Sequence, residues 1–502
     1  MLSTIQPGKV YLVGSGPGDP GLITLRGMRL LQVADVVMYD YLCNPELLAH
    51  VRPTAVVHCL GSHSEGKVWK QDQINAEMIR QAESGHSVVR LKSGDPTVFA
   101  RAADEITALV ERGIEVEIVP GVTSALAAGA YTGIPVTHAK HASAVAFITG
   151  QEKLSKASGS VDYEALAKFP GTLVFYMGVT TGPVWSAGLI AGGKSPETPV
   201  AMIRRCTWPD QETTRCTLGE VAEHLHPGSK IRPPVIVVVG DVAGEGEACR
   251  WFESRPLFGQ RIVITRPEHQ VSPLRDQLTE LGAAVIPIPA IEIGPPEDWG
   301  PVDKAIARLK DFDWLVFSSR NGVRYFFERL LSHGGDIRKV GHLKLGAIGP
   351  GTAEALTEYH LTADVIPPEY RAESMVEALQ AEARGKRFLL PRASRGRDVL
   401  PEGLKAAGAE VEEVVVYHSG DTAELPGEAQ RQLESGPIDW VMITSSAIAR
   451  SSERLLGETL RTAKVVSISP ITSATLRELG IEPAAEATEY TMDGMVAAML
   501  KR

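Results

Sequence analysis

Residues 9–40 read KVYLVGSGPGDPGLITLRGMRLLQVADVVMYD. A β-branched run, Val10 to Val13, enters a turn rich in glycine and proline, Gly14-Ser15-Gly16-Pro17-Gly18-Asp19-Pro20. An amphipathic stretch follows, and a second apolar run ends at Asp40. Strand, glycine-bearing loop, helix and strand form the building unit of a sheet covered by helices, with ligands expected beyond the C-terminal ends of the strands. The same unit recurs in HSVVRLKSG, EVEIVPG, GTLVFYMG and PPVIVVVGD, so an α/β fold is expected almost throughout.

The pattern lapses once. Ala243 to Gly259, AGEGEACRWFESRPLFG, has no period and carries glycine, proline and charge, and a new strand, RIVITRP, starts at Arg261. This divides the 502 residues into 1–245, a linker 246–258, and 259–502. The second part contains a repeat. GQRIVITRPEHQVSPLRDQLTELGAAV from Gly259 resembles GKRFLLPRASRGRDVLPEGLKAAGAEV from Gly385, and DWLVFSSRNGVRYFFERL from Asp313 resembles DWVMITSSAIARSSERLL from Asp439. AIGPGTAEAL from Ala347 resembles SISPITSATL from Ser467. Two copies are too few for a solenoid, and two similar α/β lobes facing each other across a cleft are expected.

Composition excludes several classes. Net charge is −10, which argues against a broad basic face for nucleic acid. No run approaches the roughly 20 apolar residues of a membrane span. The N-terminus enters a strand pattern with no charged region ahead of an apolar run, so no signal peptide and a cytoplasmic location are expected. The five cysteines form no C-x-x-C pair, and the histidine pairs His58 with His63 and His138 with His141 have no evident partner ligands, so no metal site is expected.

The glycine loop after Val13 is neither a dinucleotide fingerprint, whose third glycine would fall on Asp19, nor a P-loop. It reads either as a place where a cofactor lies against the backbone or as a tight turn. Three more loops follow strands: Leu91-Lys92-Ser93-Gly94-Asp95-Pro96, Val119-Pro120-Gly121-Val122-Thr123-Ser124-Ala125 and Tyr176-Met177-Gly178. With VGSGPGDPGLITLRGMRLLQVADVVMYDYL, VVRLKSGDPTVFARAADE, VPGVTSALAAGAYTGIPVTH and TLVFYMG in this order, residues 8–245 resemble the tetrapyrrole (precorrin-type) methyltransferases, and among them uroporphyrinogen-III C-methyltransferase.

The resemblance implies two α/β lobes holding S-adenosylmethionine, a homodimer, and a tetrapyrrole substrate. It assigns Pro17, Ser93, Gly94, Asp95, Val98, Thr123, Ser124, Met177 and Cys206 to the cofactor, Arg101 to the substrate, and Asp40 to the base that removes a proton after methyl transfer. Asp95 also reads as the N-cap of a helix starting near Pro96. The chain departs from the family at Gly61-Ser62, where the family carries a lysine after glycine. Further departures are Thr137-His138-Ala139, where it has T-H-R, Phe99-Ala100-Arg101-Ala102-Ala103, where it has F-G-R-G-G, and Arg205-Cys206-Thr207 for N-G-T.

In the second part, Ser, Thr and Gly recur at strand-to-helix junctions: Ser318-Ser319, Gly349-Pro350-Gly351-Thr352, Arg392-Ala393-Ser394, Thr444-Ser445-Ser446 and Ser469-Pro470-Ile471-Thr472. Each is an ordinary cap taken singly, but five of them with Arg266, Arg320, Arg392 and Arg395 nearby suggest an anionic ligand. VITRP, LVFSSRNGVRYF, AIGPGTAEAL, LLPRASRGRDVL, VVVYHS and VMITSSAIA make residues 257–500 similar to uroporphyrinogen-III synthase. That resemblance implies closure of hydroxymethylbilane with inversion of the last ring and no cofactor. It assigns Tyr417 as the acid and Ser319, Thr352, Ser445 and Thr472 as substrate contacts. Two rival readings remain: a same-fold methyltransferase with another substrate, and a tetrapyrrole sensor with inactive sites, for which the Ser62 and Ala139 departures speak.

Overall fold

The computed structural model describes residues 6–62, 67–151, 161–246, 249–267, 272–396, 398–425 and 427–501. The chain forms two compact units, residues 1–260 with 279–284, and residues 261–278 with 285–502.

The first unit holds two five-stranded sheets. The valine-rich runs become β1 (Val10–Gly14), β2 (Val36–Tyr39) and β3 (Val56–Cys59). A two-residue hairpin, β4 (Gly61–Ser62) with β5 (Lys67–Val68), intervenes before β6 (Val88–Lys92) and β7 (Val116–Val119). The first sheet is parallel in the order β3-β2-β6-β1-β7, with β1 and β6 wholly buried, as helix-covered central strands must be. The loops after β1, β6 and β7 meet backbone to backbone. A Cβ on Gly121 would lie 2.2 Å from the Gly94 carbonyl oxygen and 2.8 Å from Gly14 Cα. The glycines at 14 and 121 therefore serve the approach of one loop to another.

The second sheet combines β8 (Val145–Thr149), β9 (Thr172–Tyr176), β10 (Pro199–Arg204), β11 (Glu212–Thr217) and β12 (Val235–Val239). Its order is β11-β10-β12-β9-β8, antiparallel except for β8 with β9.

The segment expected as a linker is packed into this unit. Phe252 is 3% exposed and meets Tyr131 edge-on at 4.7 Å, and Trp251 Nε1 donates to the Ala130 carbonyl at 2.9 Å. Arg255 lies over both Trp251 and Phe252. Glycine, proline and charge there mark turns, while the aromatics between them carry burial that a loose tether would lack.

The second unit has β13 (Arg261–Ile264), β14 (Ala284–Pro287), β15 (Ile291–Gly294), β16 (Trp314–Phe317) and β17 (Lys344–Ala347). It continues with β18 (Arg387–Ala393), β19 (Glu410–Asp421), β20 (Trp440–Ile443), β21 (Lys464–Ser467) and β22 (Ala485–Glu486). The sheets run β14-β13-β20-β21-β22 and β15-β19-β18-β16-β17. The lobes are thus not the two repeats. Each lobe takes its first strands from one copy and its later strands from the other: β13 pairs with β20, and β18 pairs with β16.

The interleaving leaves matched contacts. Asp439 accepts from the Arg261 amide at 2.8 Å, and Asp313 accepts from the Arg387 amide at 2.9 Å. Lys344 lies over Trp314 and Lys464 over Trp440. The Arg387 amide and Lys386 beside Asp313 hold its carboxyl below the ordinary 3.8. A carboxyl lowered on folding contributes stability above its unfolded value and loses it as pH falls through the folded one. Asp313→Asn is expected to melt below the wild type at neutral pH, the gap closing in thermal melts as pH falls below the ordinary carboxylate range, and a gap independent of pH would contradict this.

Candidate functional site

Ten of the residues singled out in the first unit line one cleft of about 770 Å³: Pro17, Asp40, Ser93, Gly94, Asp95, Val98, Thr123, Ser124, Met177 and Cys206. They arrive from loops after β1, β2, β6, β7, β9 and β10, so both sheets contribute. Arg101 does not line the cleft. It precedes the helix Ala102–Val110 and pairs with Asp104 at 2.6 Å. Tyr41, Phe99, Tyr176, Arg205 and Trp208 also line the cleft; the sequence motifs include Phe99, Tyr176 and Arg205, but none of the five was given a site role.

Asp95 does not cap a helix at Pro96, since the next helix begins at Ala102. Its Oδ1 accepts from the Thr97 amide at 2.7 Å and its Oδ2 from the Gly121 amide at 3.0 Å, which ties the loop after β6 to the loop after β7. Thr123 Oγ1 and Tyr176 Oη share a hydrogen bond of 2.7 Å, and the Ala125 amide donates to the same phenol, joining the two sheets across the cleft. Burial pushes the Cys206 thiol up to about 12, so it is a neutral wall atom and not a nucleophile.

Behind Asp40 lies a buried charge network that sequence reading missed. Arg90 Nη2 donates to Asp40 Oδ1 at 2.5 Å, and Arg90 Nε to Glu105 Oε1 at 3.2 Å. Lys92 Nζ reaches both Glu105 oxygens, at 2.8 and 2.7 Å. Glu105 is 0% exposed, and Arg90 and Lys92 are each 2%. Burial pushes the Lys92 ammonium down, with Arg90 adding to the effect. Two cations face two carboxylates, so the group is neutral as a set.

Strain concentrates here. Among the described residues, six non-glycine residues have positive φ, and five are Phe99, Arg101, Met177, Arg205 and Thr207. Phe99, Met177 and Arg205 line the cleft, and Arg101 and Thr207 lie within two residues of lining positions. Each costs about 1–2 kcal/mol, and such positions gather where a ligand is clamped.

The histidines fall differently from expectation. His58 approaches Glu77 at 3.6 Å, whereas His63 lies outside the described residues, as does the side chain of Ser62. His138 and His141 do acquire a third group, Glu245, with ligand atoms within 4.8 Å of one another. The Lys140 amide donates to His138 Nδ1 at 3.1 Å, which leaves the proton of the neutral ring on Nε2 and opposes metal binding there.

In the second unit a cavity of about 320 Å³ is lined by Ser318, Ser319, Arg371, Arg392, Arg395 and Tyr417, among others. The Tyr417 phenol lies 3.0 Å from Ser319 Oγ and is 7% exposed; burial pushes it up, so it remains protonated at neutral pH. The other expected contacts are elsewhere. Thr352 and Thr472 are buried in the first turns of the helices Pro350–Thr357 and Pro470–Glu478. Ser445 caps the helix Ser446–Leu456, its Oγ accepting from the Ile448 amide. Three of the four arginines have carboxylate neighbours: Arg320 with Glu354, Arg392 with Glu413 and Asp398, and Arg395 with Asp421.

The model of the Tetrapyrrole (Corrin/Porphyrin) Methylases matches residues 9–222, and that of Uroporphyrinogen-III synthase HemD matches residues 272–497. The Porphyrin biosynthesis protein HemD of Ruminiclostridium josui is 33% identical over 444 residues, 88% of this chain and 88% of that protein. The Uroporphyrinogen-III C-methyltransferase of Bacillus subtilis (strain 168) is 38% identical over 377 residues, 75% of this chain and 77% of that one. The S-adenosyl-L-methionine-dependent uroporphyrinogen III methyltransferase of Methanosarcina barkeri (strain Fusaro / DSM 804) is 46% identical over 235 residues, 47% of this chain and 92% of its own.

Proposed function

The chain belongs to the porphyrin-biosynthesis family that joins a tetrapyrrole methylase to a uroporphyrinogen-III synthase, and from that premise we propose a bifunctional enzyme. Its second unit closes hydroxymethylbilane to uroporphyrinogen III with inversion of ring D, and its first unit methylates that product twice to precorrin-2. The observation that carries the reading is the single cleft in which Asp40 meets the residues assigned to the methyl donor.

The cleft fits S-adenosylmethionine by its donor set: a carboxylate at Asp95, hydroxyls at Thr123 and Ser124, and apolar walls at Val98 and Met177. The relative from Methanosarcina, named for dependence on that cofactor, supports it. Bound there, the cofactor supplies a methyl group on a sulfonium. The chain's own work is alignment, through loops locked by Asp95 and by the Thr123–Tyr176 bond, and removal of the ring proton by Asp40. In the second unit the neutral Tyr417 phenol donates a proton to the departing hydroxyl of hydroxymethylbilane. The pyrrole nitrogens stabilise the cation, so Tyr417→Phe is expected to slow formation of the type III isomer by about tenfold without abolishing it, read as the ratio of type III to type I product. An unchanged ratio would remove Tyr417 from the chemistry.

No helix among the described residues is long and apolar enough to cross a membrane. A cytoplasmic homodimer formed through the first unit is part of the proposal, and sedimentation of the purified chain tests the dimer.

Purified protein is incubated with hydroxymethylbilane, with and without S-adenosylmethionine, and products are identified by mass and isomer. Uroporphyrinogen III alone, gaining two methyl groups with the cofactor, supports both activities. Type I isomer only and no methylation overturns them and favours a sensor.

A further inference from the structure

The helix Ser124–Thr132 carries Thr123 and Ser124 of the cleft at its N-terminal end and Tyr131 at the other. Tyr131 is buried away from the cleft, and its phenol donates to Asp19 Oδ2 at 2.6 Å. Asp19 follows Pro17 by two residues in the loop after β1, and its other oxygen accepts from the Gly21 amide at 2.7 Å. The Asp19 amide donates to Thr207 Oγ1 at 2.9 Å, and Trp208 Nε1 donates to the Pro17 carbonyl at 3.3 Å. Gly18 allows this approach, since a Cβ there would lie 2.8 Å from Thr207 Oγ1 and 2.5 Å from Trp208 Cδ1. Tyr131 on one side and the loop after β10 on the other thus grip the segment that presents Pro17. Burial, with the hydrogen bond to Asp19, pushes the Tyr131 phenol up, so it stays a proton donor.

The segment 249–258 decides where that phenol points. The rings of Trp251 and Phe252 meet Tyr131 at 5.0 and 4.7 Å between centroids. Trp251 Nε1 also donates to the Ala130 carbonyl, in the last turn of the helix, where intrahelical partners run out. Gly133 closes the helix at φ +72°, and a Cβ on it would lie 2.5 Å from the Cys249 carbonyl oxygen. The helix end is therefore built directly against the segment after residue 248. The aromatic cluster needs only a ring at position 131, and a phenylalanine would supply one. The hydroxyl adds nothing to that packing, and Asp19 is the group it reaches.

We infer that Tyr131 is a positioning residue for methyl transfer, its phenol setting the Pro17 loop against the cleft, and that Trp251 holds Tyr131 in place for this. The inference rests on the methyltransferase reading of the cleft. It extends the working parts of the methyltransferase to a stretch of chain that touches neither cofactor nor substrate. A loop fixed in its binding conformation beforehand spares the ligand the free energy of ordering it, so the effect falls on affinity for the methyl donor.

The test uses the full chain. Tyr131→Phe keeps the ring and removes the hydroxyl, Asp19→Ala removes its acceptor, and a double variant combines the two. KM for S-adenosylmethionine and kcat are measured for methylation of uroporphyrinogen III, and Kd for S-adenosylhomocysteine by calorimetry, at a temperature where melts show every variant folded. Tyr131→Phe is expected to raise KM and Kd about tenfold, the usual contribution of a hydrogen bond to a charged group, with kcat within about threefold of wild type. A merely structural hydroxyl would lower the melting temperature and the active fraction, hence kcat, and leave KM and Kd in place; KM and Kd within about twofold of wild type overturn the inference. The double variant is expected to bind no more weakly than Asp19→Ala alone, because both changes remove one interaction. If the two effects add, Tyr131 acts by another route and the inference falls. Trp251→Leu, at a half-exposed position, is expected to raise Kd about threefold, as loss of an aromatic pair implies, and an unchanged Kd overturns the part given to Trp251. If the wild-type chain binds no S-adenosylhomocysteine, the functional reading itself falls and takes the inference with it; if it does and the variants match it, only the inference fails.

Discussion

Asp40→Asn is expected to lower methylation of uroporphyrinogen III by a factor of about 10²–10⁴, the usual contribution of a positioned proton acceptor. The geometry makes this a clean test. Asp40 closes β2, and its amide is held by the Leu91 carbonyl at 3.2 Å. One carboxylate oxygen is fixed by Arg90. Asparagine keeps the shape and removes the proton-accepting oxyanion, while Arg90 keeps Glu105 as its partner. Uroporphyrinogen III formation by the second unit is an internal control that should not change, and neither should the affinity for S-adenosylhomocysteine. Methyl incorporation within about threefold of wild type would sink the assignment of Asp40 as the base.

How Asp40 came to be legible, and Arg90 not, has a physical cause. Asp40 ends an apolar run, where the pattern alone reads as a capping aspartate, and only the family resemblance assigns it as the base. The loops at Pro17, Ser93–Asp95 and Thr123–Ser124 stand out because glycine, proline and small hydroxyl residues follow buried strands. Arg90 and Lys92 alternate with apolar residues along β6, and Glu105 sits on a helix. Isolated charges in such patterns normally mark a solvated face. Only the fold shows that the three converge in the interior. The repeat of the second unit was legible from its offsets, but similarity between copies says nothing about which strand pairs with which. The exchange of strands between lobes depends on β13 pairing with β20 and β18 with β16, a long-range choice. The segment 249–258 was misjudged for a related reason. Turn residues dominate its composition, whereas Trp251 and Phe252 decide its energetics. Phe99 escaped because left-handed backbone at a non-glycine residue leaves no mark in the sequence.

Glu105→Gln is expected to destabilise the first unit by about 3–5 kcal/mol, the penalty for breaking a buried ion pair by removing one partner. Glutamine fits the space but leaves buried Lys92 without its hydrogen-bonded carboxylate and Arg90 with Asp40 alone. For a unit of this size the loss corresponds to a drop of roughly 10 °C in its thermal midpoint. The cost comes from the stranded ammonium and not from the lost attraction as such, and a second substitution separates the two. Burial already pushes Lys92 down, so its charge is the group that gains least from staying. Glu105→Gln combined with Lys92→Met removes one carboxylate and one cation together and leaves the Asp40–Arg90 pair intact. The double variant is therefore expected to melt above Glu105→Gln alone and to regain a large share of the loss, because a neutral replacement of a buried pair is often close to neutral in stability. If the double variant melts lower still, the network is held by packing around Lys92 and not by charge balance. Charge balance is also what keeps Arg90 fixed beside Asp40. The double variant that regains stability should then regain methylation, while Glu105→Gln alone should lose part of it through a misplaced base.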